Sequence, residues 1–272
     1  RDYTVSGELF QIVLCESCKL KFTNPRPEDV ELGKYYKSAE YISHSNTKKG
    51  LISKLYHIVR GYTLNAKVNL ISQFVSRGTV LDYGCGTGAF VAACSNAGWR
   101  AVGIEPSAEA RSAIRKGHTV FPSKEDLLNS DVKIEFDVIT LWHVLEHVSD
   151  LDSTLSFFHN HLKLNGTVVL ALPNHQSYDA RYYKEFWAAY DVPRHLYHFD
   201  VKSIEVLMRR HRFQLIASRP MKFDSFYVSM LSEKYRFGSV NYFRAFYIGL
   251  RSNFAAKKAT DYSSVVYVFK KV

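Results

Sequence analysis

Residues 79–88, TVLDYGCGTG, confine the fold more than any other stretch. A short apolar run closes on Gly84, Gly86 and Gly88, and AFVAACSNAG then reads as a short helix ended by Gly98. Glycine allows sharp turns and close approach to a bound molecule, because no Cβ intervenes. A strand, a glycine turn and a helix in that order make the opening unit of a parallel sheet, with the turn on its ligand-binding edge.

The rhythm continues. RAVGIEP is a second strand stopped by Pro106, and Ser107 caps the helix SAEARSAIRKG, which Gly117 ends. HTVFP and FDVITLW are strands three and four. Leu151, Leu155, Phe158 and Leu162 carry helical spacing through 150–163, and Asn165-Gly166 turns the chain into a fifth strand, TVVLALPN. A helix follows Asp200 with Ile204, Leu207 and Met208 inward, and FQLIAS and SVVYVFKK are the last strands. Upstream, residues 51–76 read as a helix with Leu55, Val59, Tyr62, Val68, Ile71 and Val75 on its apolar positions, with a break near Gly61 as an alternative. Strands alternating with helices predict a doubly wound α/β fold with the carboxyl ends of its strands on one edge. Residues 1–47 are irregular, with Asn24-Pro25-Arg26-Pro27 and tyrosines through Tyr41, and form an N-terminal extension to a domain over 48–272. Residues 174–199 are a polar, aromatic loop suited to a lid. The segment 219–262 is too long for a hairpin connection, and Phe243, Tyr247, Leu250 and Phe254 at helical spacing predict helices there.

Two ligands suit the glycine loop. Gly84-x-Gly86-x-x-Ala89 satisfies the dinucleotide pattern, and Glu105 at the end of the second strand suits ribose hydroxyls in either case. Asp82 separates the two, because a carboxylate there repels a pyrophosphate and suits a cationic ligand without phosphate.

VLDYGCGTG, GIEP, FDVITLWHVLEHV and LALPN together resemble the class I S-adenosylmethionine-dependent methyltransferases, closest to the bacterial branch of ubiquinone-pathway O-methyltransferases. The resemblance covers about residues 50–218 and the strand Ser264–Lys270. It implies a Rossmann-like sheet of seven strands with the last antiparallel. It also implies a cofactor site in which Asp82, Gly84, Cys85, Gly86 and Gly88 wrap the methionine part, Glu105 with Pro106 meets the ribose, and Trp142 and His143 face cofactor and substrate. S-adenosyl-L-methionine is then the cofactor and S-adenosyl-L-homocysteine the product. The family's acid after the third strand has no direct match here, since Phe121-Pro-Ser-Lys precedes Glu125-Asp126.

His143-Val-Leu-Glu146-His147 also fits the H-x-x-E-H pattern of zinc peptidases, which requires both histidines on one helix. Ubiquinone-type enzymes read E-x-x-E-H at this place, and some hold a divalent metal. His143 replaces the first acid, so no metal is expected in this chain. The stretch WAAYDVPRHLYHFD adds Asp191, Arg194, His195 and His198, and similar methyltransferases share a P-R-H-L-like run. The candidate catalytic residues are His143, His195 and His198, with His195 as base and Arg194 as anion contact. Histidine suits proton transfer near neutral pH. Cys15-x-x-Cys18 resembles half of a zinc ribbon, and relatives with two such pairs imply that the first pair precedes this sequence, which does not start with Met.

Charge is uneven. The net charge is +10, and residues 181–272 hold 17 Lys and Arg against 7 Asp and Glu, with 21 of the 39 aromatic residues. Such a segment suits an anionic or aromatic small-molecule acceptor, a nucleic acid or a membrane surface, with Arg244, Arg251, Lys257 and Lys258 beside the apolar stripe. An aromatic cap packed on the core is the plainer alternative. Four cysteines without a disulfide pattern and no signal peptide in the sequence at hand lead to a cytoplasmic expectation. The expected function is methyl transfer to oxygen of a small-molecule or carrier-linked metabolite. The alternatives are a sugar-nucleotide or nucleic-acid acceptor, or a basic binding protein without catalysis.

Overall fold

The structure is a computed structural model that describes residues 1–36, 51–132 and 135–272, with the side chains of 51–60, 258 and 259 outside that description. Tyr41, the side chains of Leu55, Val59 and Lys258, and the expected boundary after residue 47 lie outside the described residues.

Seven strands form the central sheet: β3 (Thr79–Tyr83), β4 (Arg100–Ile104), β5 (Thr119–Phe121), β6 (Phe136–Trp142), β7 (Leu162–Pro173), β9 (Phe213–Pro220) and β10 (Ser264–Lys271). Their order across the sheet is β5-β4-β3-β6-β7-β10-β9. The strands β3 to β7 pair in parallel, and β10 slots between β7 and β9 antiparallel to both. The expected sheet with its antiparallel last strand is therefore present. Its central strands are apolar on both faces because helices cover both sides. Val80, Val138, Val169 and Val268 pack on one face, and Leu81, Ile139, Leu170 and Phe269 on the other.

The helices fall between strands as expected. They are α2 (Leu51–Ser72), α3 (Ala89–Asn96), α4 (Ala108–Ser112), α5 (Lys124–Leu128), α6 (Leu151–His161), α7 (Tyr178–Tyr183), α8 (Val201–Arg210), α9 (Asp224–Phe237) and α10 (Tyr242–Ala259), with a short α1 (Asp29–Leu32) before them. Helix α2 runs through Gly61 without a break. Ser107 and Asp150 accept hydrogen bonds from backbone amides three residues on, and Asp200 builds a full capping box. The expected turn at Asn165-Gly166 lies inside β7 instead. The register steps from Phe136↔Leu162 to Val138↔Thr167, so 163–166 bulge out of the strand around Asn165 at φ +65°.

Two regions depart from expectation. Within the described residues 1–36 of the N-terminal extension, β1 (Ile12–Leu14) and β2 (Lys21–Thr23) form a hairpin, and β2 pairs with β8 (Tyr197–His198) of the 174–199 loop. The insertion 219–262 is the helical pair α9 and α10, but α10 turns its large apolar side chains outward. Phe243 is 91% exposed and Phe254 56%, whereas Ala245, Ile248, Ser252 and Ala256 are buried. The plainer alternative, an aromatic cap packed on the core, fails for this helix. Among the described residues no helix is long and apolar enough to cross a membrane.

Candidate active site

The glycine turn is fixed by the strand beside it. The amides of Gly84 and Cys85 both donate to the Ile104 carbonyl at the end of β4, at 2.7 and 3.0 Å. Gly84 has φ +75°, and a Cβ there would lie 2.6 Å from Val144, just beyond β6. Gly86, also at positive φ, faces open space, as a cradle for a ligand requires. Cys85 is buried over Gly103, where any Cβ would meet its sulfur, and burial raises its thiol pKa. Gly88 starts α3 in the left-handed region.

Glu105 accepts from the Gly86 amide at 2.8 Å and from the Ser107 amide at 2.9 Å. Arg111 holds the Glu105 and Pro106 carbonyls from below. A carboxylate so aimed retains lone pairs for hydroxyl donors. Glu125 and Asp126 instead start α5, where Asp126 is hydrogen-bonded to the cap residue Ser123.

Asp82 is buried, and burial pushes its carboxyl up to about 7 against the Thr140 hydrogen bond (2.7 Å) and the Lys67 charge. Lys67, on α2, sits 4.2 Å from the ring centre of Trp142, and desolvation lowers its pKa. The Trp142 indole N–H is buried without a partner. The floor of the site thus holds a buried carboxyl, a lysine over the Trp142 ring and an unsatisfied indole donor.

His143 follows at φ +58° and is 34% exposed. Its Nε2 lies 3.2 Å from Asp224 Oδ2 at the start of α9, and its Nδ1 lies 3.5 Å from Glu146 Oε1. Burial opposes its charge, but Asp224 and Glu146 prevail and push its pKa up to about 10. Glu146 is 1% exposed, and neither carboxylate oxygen accepts a hydrogen bond, so the His143 imidazolium is its nearest compensation. Residues 145–147 form a single 3-10 turn, so His143 and His147 do not share a helix as a zinc peptidase needs.

Glu146, His147 and His195 each bring one ligand atom within 4.8 Å of the others, the only such cluster among the described residues. His147 donates from Nδ1 to the Arg194 carbonyl (2.9 Å), and burial lowers its pKa to about 4. His195 is buried against His147 and donates from Nδ1 to the Ala189 carbonyl. His198 bonds Thr23 of β2 at 3.1 Å, and burial keeps it well below the usual histidine pKa.

Arg194, expected as an anion contact, is already paired within the fold. It is 2% exposed, and its guanidinium binds Asp191 (2.6 Å), Asp2 (3.1 Å) and the Tyr35 carbonyl (2.9 Å). It ties Asp2 and Tyr35 of the N-terminal extension to Asp191, and it also lines the cavity described below. Cys15 and Cys18 have free thiols, and among the described residues no third ligand joins them.

Sequence reasoning missed Asp224 and Lys67. Lys67 left a trace, a lone cation between Leu64, Val68 and Ile71 of an apolar helix face. Asp224 left none, since only the fold brings it to His143. A separate cavity of about 530 Å³ lies under the lid and the extension. Lys21, Arg181, Lys184, Trp187 and His175 line it, and neither His175 ring nitrogen has a partner.

The methyltransferase-domain family matches residues 56–218, more than half of the chain. The ubiquinone biosynthesis O-methyltransferase of Rickettsia typhi is 27% identical over 154 residues, 52% of this chain and 61% of that protein. Its counterpart from Rhodopseudomonas palustris is 30% identical over 100 residues, 35% of this chain and 40% of that protein. The chain therefore spans less than two thirds of the length of these curated relatives. Among solved structures, geranyl diphosphate C-methyltransferase from Streptomyces coelicolor A3(2), determined with Mg2+, geranyl diphosphate and S-adenosyl-L-homocysteine, superposes with a TM-score of 0.56 at 14% identity, covering 84% of this chain and 86% of that one. Family match, sheet order and glycine loop lead to one conclusion: the chain belongs to the methyltransferase-domain family.

Proposed function

We propose that this domain methylates an oxygen of a small-molecule or carrier-linked metabolite. The observation that carries the reading is the His143–Asp224 pair, at the carboxyl end of β6 and one residue from the Val144 contact with Gly84. The bound cofactor supplies an electrophilic methyl group on a sulfonium. Gly84, Gly86, Glu105 and Trp142 would hold it, and the Asp82 carboxyl would favour its positive charge when ionised. Methyl transfer is then mainly a matter of placing the acceptor, worth up to about 7–11 kcal/mol.

A hydroxyl acceptor must also lose its proton. His143 already carries one at neutral pH, since its pKa is about 10. Both of its N–H groups face carboxylates, so it holds Asp224 in place, and the Asp224 carboxylate takes the proton of the acceptor hydroxyl. His195, proposed from the sequence as base, lies in the buried cluster with Glu146 and His147, its Nδ1 bound to the Ala189 carbonyl. The reading needs no metal, because the His143 imidazolium supplies the positive charge that Glu146 faces. The relatives' names support oxygen as the accepting atom. The cavity beside Lys21, Arg181 and Lys184 favours an acceptor with an anionic part, such as a sugar nucleotide, as a second form of the same reading.

The test uses methyl-labelled S-adenosyl-L-methionine with phenolic and hydroxylated acceptors, and locates the label by mass spectrometry. An O-methyl product is expected, with Asp224→Asn lowering kcat about 10²–10⁴-fold while cofactor affinity holds. A label on nitrogen or carbon, or an unchanged rate in Asp224→Asn, would contradict it.

A further inference from the structure

Helix α10 buries the wrong face for a helix in water. Its inner side is Ala245, Ile248, Gly249, Ser252 and Ala256, while Phe243 (91% exposed), Phe246 (60%), Tyr247 (54%), Leu250 (37%) and Phe254 (56%) point outward. The inner choice is steric. A Cβ on Gly249 would lie 2.7 Å from the Phe226 ring and 3.0 Å from its Cα, so α9 and α10 pack backbone to backbone. The stripe extends onto α9, where Phe226 stacks on Phe246 at 5.2 Å. Phe223, just before α9, is 62% exposed. A contiguous apolar face of this kind marks a surface that meets another medium or partner.

Charge selects the partner. The helix YFRAFYIGLRSNFAAKKA contains no acidic residue. Arg244 is neutralised by Glu233 at 2.6 Å, but Arg251 lies over the Tyr178 ring and Lys257 over the Phe254 ring, with no carboxylate in salt-bridge range of either among the described residues. A second copy docking through the same face by two-fold symmetry would set these cations against each other. An anionic lipid surface accepts both features, with rings entering the headgroup boundary and Arg251, Lys257 and Lys222 meeting lipid phosphates.

We propose that α10, with Phe223 and Phe226, docks the protein on an anionic membrane surface. Asn253 of α10 donates to the Lys222 carbonyl at 2.9 Å, and two residues on Asp224 reaches His143. Docking therefore brings the edge of the active site to the lipid boundary, which suits an acceptor carried on a lipid. Only that last step rests on the methyl-transfer reading.

Flotation of the purified chain with phosphatidylcholine vesicles, with and without phosphatidylglycerol, tests the proposal. The chain is expected to float with the phosphatidylglycerol vesicles, less so as salt rises. Phe243→Ser with Phe254→Ser should weaken this roughly tenfold or more, with thermal stability unchanged. Arg251→Glu with Lys257→Glu should abolish the preference for phosphatidylglycerol, an independent check should the first variant misfold. The proposal is overturned if the native chain stays with the unbound fraction at low salt. It is equally overturned if the ring variant floats like the native chain, if sedimentation shows that the stripe seals a dimer, or if duplex DNA at the same salt competes the chain off the vesicles. Cofactor calorimetry on the same samples separates the two readings. Absent cofactor binding would remove the enzymatic reading and leave the vesicle result standing.

Discussion

Single residues carry the chemistry here, and His143 shows how. Its folded-state pKa of about 10 lies above the ordinary 6.5, because Asp224 and Glu146 flank it. The pairing stabilises the fold fully below about pH 6.5, and that contribution is lost as pH rises through about 10. His143→Asn tests this cleanly, since asparagine tolerates the φ of +58°. The unfolding midpoints of the native protein and the His143→Asn variant should differ near neutral pH and converge above about pH 10. A gap independent of pH would mean that the charge does not matter. Gly84→Ala belongs to the same scale: φ is +75° and Val144 leaves no room, so about 1–3 kcal/mol of stability and most cofactor affinity should be lost. Melting and calorimetry read both, and an alanine variant binding normally would contradict the close approach. The glycine turn was legible because turn chemistry is local. Asp224 was not, because its meaning depends on a contact with His143 across the fold.

At the scale of elements, the 174–199 loop and the described residues 1–36 are joined. Strand β2 pairs with β8, Thr23 bonds the His195 carbonyl at 2.8 Å, and Arg194 binds Asp2 and Asp191 in a buried site. Removing one partner of a buried ion pair leaves the others uncompensated. Arg194→Met should therefore cost about 3–5 kcal/mol, read by denaturant unfolding, and should release β1–β2 to proteolysis. A loss below about 1 kcal/mol would place Arg194 among surface pairs. These strands escaped the sequence reading because two or three residues carry no periodicity. Helix α10 was legible as a helix, but period alone does not tell which face is buried. Gly249 and Ala245 decided that, by letting α9 come closer than the phenylalanines allow.

For the molecule as a whole, strand–helix alternation and the glycine turn made the sheet readable, down to the antiparallel β10 that the resemblance implied. The surplus positive charge of residues 181–272 was readable as a number, but its distribution was not. Arg194 and Arg244 are consumed by internal carboxylates, and Arg251 and Lys257 remain at the surface. On the proposed function, the glycine edge of this sheet holds S-adenosyl-L-methionine, with Glu105 as its polar anchor. Titration calorimetry of the native chain and Glu105→Ala tests it most directly. Binding of S-adenosyl-L-methionine and S-adenosyl-L-homocysteine by the native chain is expected, weakened about tenfold or more in the variant. No heat with either compound at millimolar concentration, or saturable binding of a nicotinamide dinucleotide instead, would contradict it.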